Sequence, residues 1–285
     1  IIKMTYPDVI EKFLVKQMVE INPSLNPYNI NQVIKNKDFE NLRDRCLFLG
    51  LSDGARIDVF RRHSNLDHEQ VYPIYQISDE KTDEFLEKLH KKLETKKISD
   101  YKNQHFKVVF LIDDFSASGK SFIRYENGEV KGKIKKFFEP IVNSKHICIL
   151  FDKPLIICIL LYIATKSAKQ HIENEAKIFF GTHANITFNV LVVHEIDDQR
   201  IALTKENDLD MYKITESYYD PKIEEKTSYQ TGNMTYPFLG YNGCALPIVL
   251  HHNCPNNSLN ILWYNPQEYK IRGLFPRTER FPKRE

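Results

Sequence analysis

Short apolar runs that lack polar alternation constrain the fold more than any other feature of this sequence. They cover Lys107–Ile112, Leu155–Ala164 and Ile186–Val193. Strands that are apolar at successive positions are covered on both faces, which is typical of parallel sheets. The segments between the runs, Ile134–Val142 and Ser167–Phe179, have the apolar spacing of amphipathic helices. This alternation predicts an α/β fold with a mostly parallel sheet, flanked by helices and joined by right-handed crossovers.

The region before this core is predicted to be helical over residues 7–50. Asp8 is placed to cap a first helix, and the stretch Asn22–Pro27 ends it because proline interrupts helical hydrogen bonding. Asn31 begins a second helix, which Gly50 ends. An N-terminal helical segment is therefore predicted ahead of the α/β core.

The chain is predicted to divide into three parts. The helical segment occupies residues 1–50, and the α/β core occupies 51–200, beginning with a strand over Val71–Ile77 and a helix over Asp79–Lys96. Residues 201–285 form an extension in which Pro, Gly, Asn and aromatic residues are frequent. Long irregular segments of this kind commonly serve as lids, binding loops or subunit contacts. We expect the extension to pack on the core as a hood.

Composition excludes several classes of protein. The 40 Lys and Arg residues nearly balance the 38 Asp and Glu residues, so a net charge of +2 gives no strong intrinsic attraction to nucleic acid or to membranes. The basic stretches Arg61–Arg62 and Lys131–Lys136 are interpreted as solvated surface. The 5 cysteines include no C-x-x-C pair, which argues against a disulfide framework or a structural zinc site. No apolar run has the length of a membrane span, and the expected location is cytoplasmic.

The stretch Val108–Phe122 carries the clearest chemical signal. A buried strand ends in two adjacent acids, Asp113 and Asp114, and a loop of small residues follows. Open α/β sheets bind ligands at the carboxyl ends of their strands, where small residues let backbone N–H groups approach a phosphate. A helix predicted after the loop would add partial positive charge at the same place. The candidate phosphate-binding residues are Ser116, Ala117, Ser118, Gly119, Lys120 and Ser121.

Two interpretations of this loop compete. The residues Gly119-Lys120-Ser121 resemble the end of a P-loop, but that motif requires a glycine where this chain has Asp114, and a carboxylate there repels a polyphosphate. The second interpretation keeps every residue, because the spacing resembles the motif that binds phosphoribosyl pyrophosphate in type I phosphoribosyltransferases, with Ser118 in place of the usual threonine. In that motif the two acids accept hydrogen bonds from the ribose 2- and 3-hydroxyls.

Three stretches together resemble one family. They are the acid motif, the segment Phe48–Arg62 and the segment Leu239–Tyr264, which contains the characteristic element Pro255–Trp263. The family is the phosphoribosyltransferase-like group of bacterial conflict systems, PRTase-CE, whose members occur beside antiphage machinery that includes retrons. The similarity extends in patches from about residue 45 to Arg277. It implies the fold of the type I phosphoribosyltransferases.

The resemblance also implies roles for particular residues. Asp113 and Asp114 would hold the ribose and Arg56 would help pyrophosphate depart, so these three form the candidate catalytic set. Mg²⁺ would enter with phosphoribosyl pyrophosphate, held through the ligand and not directly by the protein. The candidate pyrophosphate loop, in which glycine permits unusual backbone angles, consists of Ser52, Asp53, Gly54 and Ala55. Candidate contacts for a base or a partner chain are Asn256, Asn257 and Trp263, for which the alternative is a turn followed by a core tryptophan.

Three functions stay open at this point. The resemblance implies a pentosyl-transferring toxin effector that uses phosphoribosyl pyrophosphate or a nucleotide. Its implied partners are a retron reverse transcriptase with its RNA–DNA hybrid and a winged-helix protein. The second function is a sensor that binds the same ligand without catalysis, and the third is a scaffold subunit that keeps only the fold. The acceptor of a pentosyl group is not readable from any motif.

Overall fold

A five-stranded sheet lies at the centre of the larger of two compact units, in a computed structural model that describes residues 1–225 and 235–277. The larger unit comprises Ile1–Ala164 and Ala168–Glu195, and the smaller comprises Thr165–Ser167 and Ile196–Glu285. The strands in chain order are β1 (Cys46–Gly50), β2 (Val71–Tyr72), β3 (Phe106–Ser116), β4 (Arg124–Glu126), β5 (Glu129–Lys131), β6 (Phe151–Thr165) and β7 (Ile186–Ile196). The order in the main sheet is β2-β1-β3-β6-β7, and β4 pairs with β5 in a separate antiparallel hairpin.

The helices cover both the N-terminal segment and the connections between strands. They are α1 (Ile2–Thr5), α2 (Glu11–Ile21), α3 (Ile30–Ile34), α4 (Lys37–Asp44), α5 (Ile57–Ser64), α6 (Asp79–Thr95), α7 (Lys133–Asn143), α8 (Lys145–Cys148), α9 (Lys166–Phe180), α10 (Asp198–Ile201), α11 (Leu209–Ser217) and α12 (Asn260–Trp263). A π-helical turn, Tyr6–Ile10, joins α1 to α2. Short 3-10 helices lie at Asp53–Ala55, His68–Gln70, Tyr101–Asn103, Pro221–Glu225, Pro237–Leu239 and Tyr241–Gly243.

The central strand β3 is parallel to both of its neighbours, β1 and β6. Its side chains alternate between two apolar cores, one on each face of the sheet. Val109 and Leu111 point to the core that includes α6, α7 and α9, whereas Val108 and Phe110 point to the core that includes α2, α4 and α5. The predicted α/β class with a mostly parallel sheet is confirmed, because burial on both faces is what the apolar runs required.

Two segments differ from their predicted structure. The apolar run Cys46–Gly50, predicted as the end of a helix, is strand β1, and every residue in it is buried. A run this short fits a buried strand as well as a helix, and pairing with both β2 and β3 decides the outcome. The strand predicted over Val71–Ile77 ends at Tyr72, because Pro73 has no N–H group for the ladder.

Strand β7 is also less covered than its sequence predicted. It lies at the edge of the sheet, and most of its residues are partly exposed. The predicted helix over Ser167–Phe179 matches α9 closely, and the runs Lys107–Ile112 and Leu155–Ala164 lie within β3 and β6. Predicted elements in the middle of the chain are therefore right in type, and the sheet edge is where the burial prediction is wrong.

The smaller unit has its own apolar core and little regular structure. Its core is built largely of aromatic side chains, among them Tyr212, Phe238, Trp263 and Tyr264. Residues 226–234 and 278–285, which belong to the predicted extension, lie outside the described residues. Within the described part of the chain, no helix has the length and apolar character needed to cross a membrane.

The aromatic contact at the middle of β3 makes the first testable prediction. The Phe110 ring stacks on Phe48 with centroids 4.8 Å apart and meets the edge of Phe13 at 6.0 Å. Phe110→Ala should lower the free energy of unfolding by about 3–5 kcal/mol, because a large buried ring leaves a cavity. Denaturant unfolding followed by far-UV circular dichroism measures the loss. Tyr125→Ala, at a 41% exposed position on the hairpin, is the matched control and should change little; equal losses would contradict the packing argument.

Candidate functional site

The two acids of the motif lie near the carboxyl end of the central strand, which continues to Ser116, but they differ in their surroundings. Asp113 lies opposite Leu161 of β6 and is only 2% exposed, whereas Asp114 is partly exposed. The Asp113 carboxylate accepts hydrogen bonds from the Ser52 hydroxyl and from the Asp114 backbone N–H, the latter at 3.2 Å. Its other oxygen is paired with the Lys133 ammonium. Asp113 is therefore held inside the protein, and Asp114 presents the more exposed carboxylate.

Burial dominates the protonation of the inner acid. It raises the pKa of the Asp113 carboxyl above its ordinary value, while the Lys133 ammonium beside it acts in the opposite direction. The Asp114 carboxylate adds a further upward effect, and the hydrogen bond from Ser52 a downward one. The ionised form of Asp113 thus depends on the donors that surround it.

The candidate pyrophosphate loop lies directly against these acids. Ser52 donates to Asp113, and a Cβ on Gly54 would lie 2.5 Å from an Asp114 carboxylate oxygen. Position 54 requires glycine because the Asp114 carboxylate approaches its backbone, and not because of an unusual backbone angle as the sequence suggested. The residue with the unusual angle is Arg56, whose φ of 45° is left-handed.

Arg56 sits where the loop turns into α5. Its guanidinium is 41% exposed and lies 4.0 Å from the Asp58 carboxylate, which is itself solvent-facing. The residue before Arg56, Ala55, is held by strand β6, because the Tyr162 hydroxyl donates a hydrogen bond to the Ala55 carbonyl at 2.9 Å. The Arg56 side chain therefore lies at the surface, and it follows in sequence the residues Ser52 and Gly54 that contact the two acids. A guanidinium can bind phosphate oxygens in a forked pair.

The candidate phosphate loop is a tight turn between β3 and the hairpin. The Ser116 hydroxyl accepts from the Gly119 backbone N–H at 3.2 Å, and Gly119 has a left-handed φ of 73°. The helix expected after the loop is absent: Phe122 and Ile123 are buried and lead into β4 instead. The prediction of a helix N-terminus at this loop is wrong, because two consecutive buried apolar residues extend the chain into the core.

Part of this turn still has the capacity to bind an anion. Within residues 1–225 and 235–277, no acceptor is found for the backbone N–H groups of Ser118, Lys120 and Ser121. Lys120 is half-buried and Ser121 is exposed, while Ala117 is buried. Unpaired backbone donors in a turn form the kind of concavity that holds phosphate.

Lys133 is the site residue that the sequence did not identify. It begins α7, after the hairpin, and was expected to be solvated with the other lysines of Lys131–Lys136. Its side chain is instead 24% exposed, pairs with Asp113 and lies over the Phe122 ring at 5.2 Å. Lys133 and Asp113 are 20 positions apart in the sequence, and no local pattern indicates that they are in contact.

The candidate base or partner contacts lie in the smaller unit and are engaged in its packing. The Trp263 indole N–H donates to the Ser258 carbonyl at 3.1 Å, and the Asn257 amide donates to the Tyr241 carbonyl, also at 3.1 Å. The Asn256 carbonyl accepts from the Tyr241 N–H at 2.7 Å. A role of Asn256, Asn257 and Trp263 in binding a base or a partner stays a prediction.

No group of three or more His, Cys, Asp or Glu side chains among the described residues is arranged to hold a metal ion. All five cysteines are free thiols. Two adjacent acids, one of them buried and paired, do not form a cation site by themselves. The donor set therefore fits a magnesium ion only when phosphate oxygens of a ligand supply most of its coordination.

Comparison with known proteins gives one match. The model of the family PRTase-CE matches residues 5–277, which is nearly the whole chain. Among curated proteins, none matches the chain significantly. The same is true among solved structures.

Alanine substitutions at Gly119 and Gly128 distinguish the cost of a packing clash from the cost of backbone strain. A Cβ at Gly119 would lie 2.8 Å from the Ala168 carbonyl and the His171 ring, whereas a Cβ at Gly128 would meet nothing within 4 Å. Both glycines have positive φ, so each alanine substitution carries a strain of about 1–2 kcal/mol. Gly119→Ala should cost about 1–3 kcal/mol more than Gly128→Ala, because α9 must shift. Thermal unfolding measures both.

Equal losses for the two variants would show that α9 accommodates the added methyl group. The Cβ direction at Gly119 points to Ala168 and His171, so the first consequence of a substitution is on packing.

Proposed function

Because the chain belongs to the PRTase-CE family, we propose that it binds phosphoribosyl pyrophosphate or a nucleotide 5-phosphate at the carboxyl end of β3. One observation carries the proposal: the loop Ser52–Arg56 touches both acids, through Ser52 on Asp113 and Gly54 against Asp114. Two segments that are far apart in sequence thus meet where a parallel sheet binds its ligands.

Each part of the site suits one part of this ligand. The partly exposed Asp114 carboxylate would accept hydrogen bonds from the ribose hydroxyls, with Asp113 behind it. The backbone N–H groups of Ser118, Lys120 and Ser121, for which the described part of the chain offers no acceptor, would bind the 5-phosphate, and the Lys120 side chain would add charge. The exposed Arg56 guanidinium would bind pyrophosphate oxygens in a forked pair.

The reaction that fits these groups is transfer of the pentosyl unit. The bond from the anomeric carbon to pyrophosphate breaks, a bond to the acceptor forms, and the acceptor's proton passes to solvent. A magnesium ion bound to the ligand would neutralise part of the pyrophosphate charge. The protein's own contribution is to orient the ribose through Asp114 and to stabilise the departing charge through Arg56.

Family membership also supports a biological role for this activity. We propose that the chain is the effector of a bacterial antiphage system of the retron type, toxic when released or activated. A reverse transcriptase with its RNA–DNA hybrid, and a winged-helix protein, are the proposed partners. Consumption of phosphoribosyl pyrophosphate or modification of a host molecule would be the toxic event.

A second candidate function is a ligand sensor without catalysis. The observation that favours it is the engagement of Asp113, whose oxygens already accept from Ser52, Lys133 and the Asp114 backbone. If Asp113 does not bind the ribose, Asp114 alone can still hold the ligand. The ribose is then oriented less strictly than the transfer reaction requires.

Calorimetric titration of the full chain with phosphoribosyl pyrophosphate, with and without Mg²⁺, tests the proposed function. Wild type should bind in the presence of Mg²⁺. Asp114→Asn should weaken binding by about 10- to 100-fold, since it replaces charge-assisted hydrogen bonds of about 1.5–3 kcal/mol. Asp38→Asn, which removes the same charge from an exposed position on α4, is the control and should bind as wild type.

Absence of binding to wild type, or equal binding by Asp114→Asn, would contradict the assignment of this site. Release of pyrophosphate then separates the two candidate functions. An enzyme should release it from bound phosphoribosyl pyrophosphate when an acceptor or water is available, and a sensor should bind the ligand and return it intact.

A further inference from the structure

The pairing of Lys133 with Asp113 joins two groups that are each unfavourable alone. Lys133 is the first residue of α7, where the helix dipole disfavours a cation, and the first turn contains no acidic residue to offset it. Asp113 is a carboxylate that burial penalises. Their ion pair, in which the Lys133 ammonium also lies over the Phe122 ring, offsets both penalties.

The Asp113 carboxylate in turn connects the parts of the candidate site. One of its oxygens holds the Ser52 hydroxyl, which begins the loop that reaches Arg56. The same oxygen accepts from the backbone N–H of Asp114, the more exposed acid. A change in the charge of Asp113 therefore reaches both the loop and the second acid through direct contacts.

We propose that Lys133 is a positioning residue of this site, whose ammonium holds the buried Asp113 carboxylate charged and turned toward Ser52 and the Asp114 backbone. It acts through Asp113 and does not need to touch the ligand. The effect on ligand binding rests on the proposed function, whereas the effect on Asp113 itself does not.

Other titratable groups face Asp113 from the elements around it. Asp114 on the same strand raises the pKa of Asp113, although burial is the larger cause. Tyr75, after β2, and Tyr162, on β6, both have a raised pKa, because of burial first and then the nearby carboxylates. Both phenols stay neutral at physiological pH. Lys133 is therefore the cation near Asp113 that opposes the effect of burial.

The direction of the pH effect follows from these contacts. The pKa of Asp113 lies above its ordinary value, so its charged form exists above that raised value and is lost as the pH falls through it. Removal of the Lys133 charge takes away the main opposing influence, and the loss should then occur at higher pH.

The experiment is an NMR titration of the Asp113 carboxyl carbon, in protein labelled with ¹³C at the aspartate side-chain carboxyl. The Asp113→Asn variant, which lacks this carboxyl group, assigns the signal. Lys133→Met should move the titration of this carbon to higher pH. Lys136→Met, which removes a lysine from an exposed position on the same helix, should titrate as wild type. Lys133→Gln keeps a hydrogen-bond donor without charge and serves if the methionine variant fails to fold. An unchanged titration in a folded Lys133 variant would overturn the proposal.

Ligand affinity across the same pH range gives the second readout. With phosphoribosyl pyrophosphate and Mg²⁺, the Lys133 variants should lose about tenfold in affinity for each pH unit below the new titration point, where wild type still binds. Pure structural damage would instead weaken binding equally at every pH, and this result would overturn the positioning role. If wild type does not bind but the Asp113 titration moves as expected, the proposed function fails and the role of Lys133 in charging Asp113 stands.

Discussion

The buried carboxylate of Asp113 is the point on which the candidate site depends. It lies at the end of the central strand β3, and its donors come from three different segments: Ser52 after β1, the backbone of Asp114, and Lys133 at the start of α7. A buried charge is tolerated only when it is paired and hydrogen-bonded. The need to satisfy this one group therefore adds polar contacts between segments that also share one apolar core, to which Leu51, Leu111 and Ile134 belong, and these contacts form the candidate site.

The fold supplies the rigid frame for this arrangement. Apolar residues on both faces of β3 pack against helices that cover the two faces of the sheet, and this packing holds the strand that carries the acids. The contrast between the two acids follows from that frame. Asp113 is buried beside β6, directly after the last residue of β3 that pairs with β1, and Asp114 follows with a partly exposed side chain. The two acids of one sequence motif therefore differ, because Asp113 is buried and hydrogen-bonded whereas Asp114 is partly exposed.

Sequence reasoning reaches the parts of this picture that local patterns determine. Apolar runs predict β3, β6 and β7, helical spacing predicts α6, α7 and α9, and the acid pair lies near the carboxyl end of β3, as predicted. The helix predicted over Cys46–Gly50 is wrong, because a short apolar run suits a buried strand as well as a helix. The role of Lys133 is not visible in any window of sequence, since it depends on how a hairpin returns the chain to β3. The turn after Gly119 is likewise decided by burial of Phe122 and Ile123, which is a property of the folded core.

The left-handed backbone of Arg56, with φ 45° and ψ 47°, has a consequence for how this position is selected. Such a conformation costs a side-chain-bearing residue about 1–2 kcal/mol that glycine avoids. Selection for stability alone would therefore favour glycine here. Under the proposed function, the Arg56 guanidinium is what glycine cannot supply, so the strained conformation exchanges stability for ligand binding. Arg56→Gly should therefore make the protein more stable and, under the proposed function, weaken its contact with pyrophosphate, so that selection for heat resistance alone would favour a substitution that reduces ligand binding.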